Sequence, residues 1–434
     1  MSFLIILLCI ALLIFLISVL RTNTFLAFII VSISAAILLG IPLNKISVIL
    51  QKGIGDMLGP LMMVLLFGAM IGKLVAVSGA AQRISSVIIK VFGEKYITWA
   101  MMLTGFIVGI PLFYNVGFVL LIPLIFSIVY QLRLPAVYVG IPMLAALSVT
   151  HGLLPPHPSP SALVNQLQAD MGKTLIYGLM IALPTIILAG PFFAATLKNI
   201  KTTPLQTFSS EHIDEKLLPG FTNSIVACLL PVFILITTSL FELNGLSIHP
   251  VLKFISDPGI IMLVSLLYGT LTLGINRGLQ IRYIMQEYAE AIKDILLIIM
   301  VIAGAGALKQ VFVESGVSTE LANAMNNWSL PPLFLGWLIA AVIRVTMGSA
   351  TVAGLTTAGI VAPLVMSTGT DANLMVLAVG SGSLMFSHVN DSGFWMFKEY
   401  FNLSMRDTFK SWSLMETIVS VMGLIGVLII DQFI

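Results

Sequence analysis

Long apolar runs separated by short polar, Gly or Pro punctuation fill this chain almost end to end. A helix that crosses a bilayer needs roughly 20 apolar residues. Runs of that kind lie at 3–20, 24–42, 58–78, 174–197, 222–242, 257–276, 294–313 and 411–430. Two further spans, 136–168 and 373–403, are interrupted. The first breaks at His151-Gly-Leu-Leu-Pro-Pro-His-Pro-Ser-Pro160, the second at Ser387-His-Val-Asn-Asp-Ser-Gly393. Proline supplies no N–H and cannot continue a helix. Freed backbone groups in lipid need partners, so such breaks persist only inside protein or beside a water-filled cavity. Residues 97–130 and 332–367 form short apolar arms around Gly109–Gly117 and Arg344–Thr351. Each arm reads as too short to cross comfortably, which predicts two re-entrant hairpins.

Composition supports this reading. Of 434 residues 58% are hydrophobic and only 9% charged, with a mean hydropathy of +1.07. Soluble domains carry about 25% charged residues, so the chain is expected to be an all-α polytopic membrane protein. A net charge of +2 with no basic run leaves nothing for nucleic acid to bind. Cys9 and Cys228 each sit in an apolar run and read as packing residues. The stretch Phe3 to Leu20 has no preceding basic residue and no small-residue cleavage site, so it reads as a retained first span.

Lys and Arg set the expected orientation. With the N-terminus outside, the cytoplasmic loops hold Arg21, Arg83, Lys90, Lys95, Arg133, Lys198, Lys201, Lys216, Arg277, Arg282, Lys293, Lys398, Arg406 and Lys410. The outer loops hold Lys45, Lys52, Lys173 and Lys253. Both termini are therefore expected on the periplasmic or exterior side. Lys73 and Lys309, near the ends of apolar runs, read as snorkelling.

Residues 201–220 form the one sizeable hydrophilic linker, near the midpoint and on the cytoplasmic side. Landmarks recur on either side of it. Ser78-Gly79 and Ser315-Gly316 end comparable spans, Pro123 and Pro363 close comparable hairpins, and His157 and Asp391 sit in comparable breaks. The expected organisation is two repeats, 1–200 and 221–434, each of five spans plus one hairpin. An odd number of spans inverts the second copy, an architecture of secondary transporters.

Candidate chemistry gathers at the breaks and hairpin turns. At the first break His151, His157, Ser159 and Ser161 can donate or accept hydrogen bonds, and a helix restarting just beyond Pro160 would attract a carboxylate. The second break offers His388, Asn390, Asp391 and Ser392, and the turns offer Tyr114, Asn115, Ser349 and Thr351. Intramembrane ionisable groups default to function, which makes Asp391, with His157 as partner, the expected protonation site. Arg344 can neutralise a substrate carboxylate or pair with Asp391 or Glu416. There is no Gly-rich loop ending in Lys-Ser/Thr and no His-Glu-x-x-His pair, so no enzyme, metal site or cofactor is expected.

These segments also carry a resemblance. The stretch His151–Pro160 resembles the hallmark of the gluconate permease family of gluconate:H⁺ symporters, with Ser159 where that family usually has glycine. Ser387 to Trp395 and Ile110-Pro-Leu-Phe-Tyr-Asn115 are similar to further segments of that family. The resemblance spans essentially the whole chain. It implies proton-driven uptake of gluconate or a related sugar acid across a bacterial cytoplasmic membrane, with idonate, fructuronate or D-serine as other family substrates. It also implies the inverted-repeat, hairpin-bearing fold of a larger ion-transporter superfamily. Coupling to Na⁺ remains the alternative to protons, and self-association into a homo-oligomer is compatible with both.

Overall fold

The computed structural model describes residues 2–112, 114–200, 202, 214–243, 250–255, 257–316, 330–389 and 391–434. All of its regular elements are helices. In chain order they are α1 (Ser2–Ile14), α2 (Thr24–Leu38), α3 (Leu43–Val77), α4 (Ala80–Phe92), α5 (Ile97–Gly109) and α6 (Tyr114–Leu132). Then follow α7 (Ala136–Leu153), α8 (Pro158–Leu167), α9 (Met171–Thr196), α10 (Phe221–Leu243), α11 (Pro250–Ile255) and α12 (Pro258–Arg277). The series ends with α13 (Ile281–Glu314), α14 (Pro332–Met347), α15 (Ala350–Thr368), α16 (Ala372–Gly382), α17 (Ser392–Tyr400) and α18 (Met405–Ile430). Among the described residues eight helical stretches are long and apolar enough to cross a membrane, as befits a multi-pass membrane protein. Most of the expected linker, 201–220, lies outside the described residues.

Helix starts follow local chemistry. Asn23, Asp170, Asp257, Asp371 and Ser404 each accept a hydrogen bond from a backbone amide of the turn they precede, satisfying donors that a helix start leaves orphaned. Gly79 and Gly316 end α3 and α13 with φ of 77° and 73°, the left-handed region that glycine enters without penalty.

The longest helices, α3 and α13, have 35 and 34 residues and pack along each other. Gly53 and Gly306 face one another where they cross, and a Cβ on either would run into the other's backbone carbonyl. At 1.5 Å per residue each helix is about 50 Å long. The apolar runs 58–78 and 294–313 therefore mark only their C-terminal parts. The segments before them are too polar to register as apolar runs, yet continue the same helices. Lys73 pairs with Glu287 and Asp294 of α13 at 3.6 and 3.8 Å, so its ammonium bridges the long helices instead of only reaching for water.

Two helix pairs, α5–α6 and α14–α15, occupy the stretches expected to be hairpins, and their lengths bring one correction. Their first arms, α5 and α14, have 13 and 16 residues, but the second arms, α6 and α15, have 19 each. Nineteen residues span about 28 Å, close to the roughly 30 Å hydrocarbon core, so these arms are not too short to cross. Pro123 and Pro363 lie within the second arms and do not close the hairpins. The amphipathic α4 has no counterpart among the expected spans. It buries Ala80, Ala81, Ile84, Ser85 and Ile88, the three-to-four-residue spacing of a helix lying against a surface.

Candidate functional site

The two breaks are built differently. In the first, α7 ends at Leu153 and α8 begins at Pro158, with His157 at its N-cap. His157 Nε2 donates to the Gly109 carbonyl at 2.7 Å, which fastens the end of α5. Ser159 and Ser161 are buried within α8. Prolines at 158 and 160 remove two amides from its first turn, and the Ser161 amide bonds the His157 carbonyl. This helix start therefore has few amides left for an anion. At the other end of α8, Lys309 donates to the Gln166 carbonyl at 2.8 Å. Lys309 is thus a C-terminal cap for a neighbouring helix, not a snorkelling side chain.

The second break is a hub of hydrogen bonds around Ser387 and Asp391. Asp391 caps α17 by accepting from the Gly393 amide at 2.9 Å. Its other oxygen accepts from Ser387 Oγ and forms an ion pair with Arg344 of α14. Trp412 Nε1 donates to Ser387 Oγ at 2.7 Å, and Ser413 Oγ donates to the Ser387 carbonyl at 2.5 Å. His388 Nε2 donates to the Val345 carbonyl at 2.7 Å. The unwound segment is therefore tied to the end of α14 on one side and to α18 on the other. This meets the requirement that buried backbone and polar groups be paired.

Between these elements lies a cavity of about 250 Å³. Its polar lining comes from Tyr114 at the start of α6, Ser148 and His151 of α7, Arg344, Ser349 and Thr351 of the second hairpin, Asp391, and Trp412 and Glu416 of α18. The N-terminus of α15 opens onto it, with Gly348 to Thr351 in the wall. A helix start carries positive partial charge. Ser349 caps the Val352 amide of α15 at 3.4 Å, and it is this helix start and not that of α8 that borders the cavity.

The polar groups here are incompletely paired. Arg344 is 4% exposed, and its Nε and Nη1 have no hydrogen-bond partner. Tyr114 Oη and His151 Nδ1 are likewise buried without one. Glu416 is 2% exposed and receives a hydrogen bond from Ser148 Oγ at 3.0 Å. Buried polar groups are almost always satisfied, and Arg344, Tyr114 and His151 bring four unpartnered atoms to this one cavity.

Of the residues named from sequence, Tyr114, His151, Arg344, Ser349, Thr351 and Asp391 meet at this cavity. His157 does not. It lines a separate small pocket with Ile110, Pro111 and Cys228, and meets the site only through the His151 ring, 5.6 Å away between centroids. Among the described residues no hydrogen bond or ion pair joins it to Asp391, the partnership expected from sequence; Asp391 is bonded to Arg344, Ser387 and Gly393. Ser159, Ser161 and His388 also lie outside the lining. Asn390 lies outside the described residues, as do the side chains of Asn115 and Ser392.

Sequence reasoning did not assign Ser148, Trp412 or Glu416 to the site. Glu416 carried a usable signal, an acid inside the apolar run 411–430. Ser148 carried none, because hydroxyl residues are common in membrane helices.

Comparison with known proteins places these features. The sequence profile described as GntP family permease matches residues 1–434. The chain is 46% identical over 418 residues to a high-affinity gluconate transporter of Escherichia coli K12, covering 95% of each. It is 43% identical over 426 residues to the Gnt-II system L-idonate transporter of the same strain, covering 97% of each. It is 42% identical over 435 residues to a gluconate permease of Bacillus subtilis 168, covering 96% of this chain and 97% of that one. Among solved structures it is similar in fold to the Alcanivorax borkumensis YdaH transporter, with a TM-score of 0.65 and 15% identity over 94% of this chain and 97% of that one. It is also similar to Neisseria gonorrhoeae MtrF, with a TM-score of 0.64 and 16% identity over 94% and 93% of the two chains.

Proposed function

The chain belongs to the GntP permease family, and from that premise we propose that it is a secondary transporter importing gluconate or a closely related hydroxylated monocarboxylate together with protons across a bacterial cytoplasmic membrane. The observation that carries the substrate class is the set of unpaired donors at one cavity. Arg344 Nε and Nη1 are free to grip a carboxylate, assisted by the amides at the start of α15. A guanidinium holds a carboxylate through parallel charge-assisted bonds. Tyr114, His151, Ser349 and Thr351 then face the hydroxyl-bearing chain of the solute.

Charge supports proton coupling. A bound monocarboxylate would bring a third carboxyl group to a cavity that already holds Asp391 and Glu416 against one guanidinium. Buried charge is costly unless paired, so solute entry accompanied by a proton on one of these carboxyls keeps the site closer to neutral.

In this reading the chain is two inverted repeats, 1–200 and 221–434, and element spacing supports it. α8 and α17 begin 234 residues apart, at 158 and 392, and so do α9 and α18, at 171 and 405. α9 and α18 have 26 residues each. His157 and Asp391 occupy the same N-cap position of α8 and α17. Half-helices meeting near the midplane at a repeat interface are a recurring transporter site.

Uptake of labelled gluconate into proteoliposomes under an inward pH gradient tests the proposal, with idonate, fructuronate, glucuronate and D-serine as competitors and with Na⁺ present or absent. Accumulation above equilibrium that needs the pH gradient and ignores Na⁺ is expected. A wild-type protein that takes up none of these acids, or takes them up only with Na⁺, would refute it.

A further inference from the structure

We infer that Glu416 is the residue that carries the coupling proton, a role that rests on the proton-coupled reading above. The cavity offers two carboxyl groups, and their surroundings differ in kind. Asp391 is held by three donors, namely Arg344, Ser387 Oγ and the Gly393 amide. A proton on Asp391 would remove its half of the ion pair and disturb the cap of α17. Among the described residues Glu416 has one hydrogen-bond partner, the Ser148 hydroxyl at 3.0 Å. A hydroxyl both donates and accepts. When Glu416 gains a proton, Ser148 can turn and accept from the new O–H, so the contact survives with its direction reversed.

The groups facing Glu416 fit this division of labour. Arg344 of α14 and Asp391 of the second break line the same cavity and pair with each other, while His151 of α7 and Tyr114 of α6 complete its titratable lining. Among the described residues the rest of the lining carries no charge and includes no lysine. Glu416 thus sits in a membrane-spanning helix, almost fully enclosed, beside the one cation to which a solute carboxylate would bind.

The cycle balances in protons. Facing outward, the Glu416 carboxylate accepts a proton from water in the cavity, forming an O–H bond, as the solute carboxylate binds at Arg344. Facing inward, the solute leaves and the O–H bond breaks, giving the proton to water on the other side. With a carboxamide at 416 the solute can still bind and exchange, but no proton travels with it.

Purified full-length protein in proteoliposomes separates these steps. Counterflow of labelled gluconate reads binding and translocation, while accumulation under an imposed pH gradient and solute-induced proton uptake read coupling. Glu416→Gln is expected to keep counterflow within about threefold of wild type, to lose at least tenfold in pH-driven accumulation, and to take up no protons with the solute. Asp391→Asn, which strands Arg344, is expected to change the apparent affinity and lower the rate of uptake while every solute taken up still brings a proton with it. A Glu416→Gln protein that still accumulates gluconate on a pH gradient, or that loses counterflow along with accumulation, overturns the assignment. If the glutamine variant fails to fold, Glu416→Asp decides. Retained coupling with a displaced pH midpoint supports the role, and loss of coupling with counterflow intact overturns it. Absence of proton movement in the wild type would instead refute the proton-coupled function itself.

Discussion

Replacing Asp391 with asparagine strands the Arg344 charge, and the cost follows from the structure. The side chains of Arg344 and Asp391 are 5% and 14% exposed, so water contributes little screening. Asparagine remains a good N-cap and its single amide oxygen can still accept from the Gly393 amide. Its NH2 cannot accept from the Ser387 hydroxyl that bonds the other carboxylate oxygen, so what is lost is the counter-charge together with one hydrogen bond. Removing one partner of a buried ion pair typically costs about 3–5 kcal/mol. Arg344 is exposed to the full penalty, because its Nε and Nη1 have no other acceptor. Smaller proteins lose roughly 2–4 °C per kcal/mol and longer chains less, so a fall in melting temperature on the order of 5 °C is expected. Tryptophan fluorescence during heating of the detergent-purified protein measures it, since Trp412 bonds to the same hub. Two further measurements separate charge from shape. Arg344→Met in the Asp391→Asn background is expected to recover much of the loss, because no buried charge remains. Excess gluconate is expected to stabilise the Asp391→Asn protein, its carboxylate taking the vacated role, with about 2.7 kcal/mol available at a hundredfold excess over Kd. An unchanged melting temperature for Asp391→Asn, or single and double variants whose effects simply add, would refute the reasoning.

Two more outcomes follow from the fold. Gly306→Val is expected to lower the yield of folded protein severely, because its Cβ would meet the Gly53 carbonyl and Met57. Gly55→Ala on the facing helix, with open space around it, is expected to leave the yield unchanged, and fluorescence-detected size exclusion compares the two. Single cysteines placed at either terminus of a variant lacking Cys9 and Cys228 are expected to react with a membrane-impermeant maleimide in intact cells. Protection of either terminus until the cells are opened would refute the exterior orientation.

Much of the architecture was legible in the linear pattern because a bilayer imposes a simple rule: apolar length marks a span, and Pro, Gly or charge within it marks an exception. The hairpin bounds 97–130 and 332–367 fall within two residues of the helical arms. The same rule misplaced the starts of α3 and α13, whose first turns are too polar to count as apolar although helix geometry simply continues through them. It also misjudged α6 and α15, where arm length depends on where the turn sits and not on the hydropathy of the run.

The candidate site divides along a similar line. That His151, Tyr114, Ser349, Thr351 and Asp391 carry chemistry was readable because polar groups in an apolar segment are expensive and need a reason. Which of them meet was not readable, since position along the chain does not encode packing between segments more than two hundred residues apart. Proximity to the same Pro/His break made His157 look equivalent to His151. Only the three-dimensional arrangement turns one ring toward the Gly109 carbonyl and the other toward the cavity. Likewise the sequence by itself determined that one arginine and several acids lie in apolar segments. The tertiary structure alone decided that Asp391 takes Arg344 while Glu416 is left with a serine. A counter-charge is assigned by distances of a few ångströms in a medium that hardly screens them, and those distances exist only once the helices have packed.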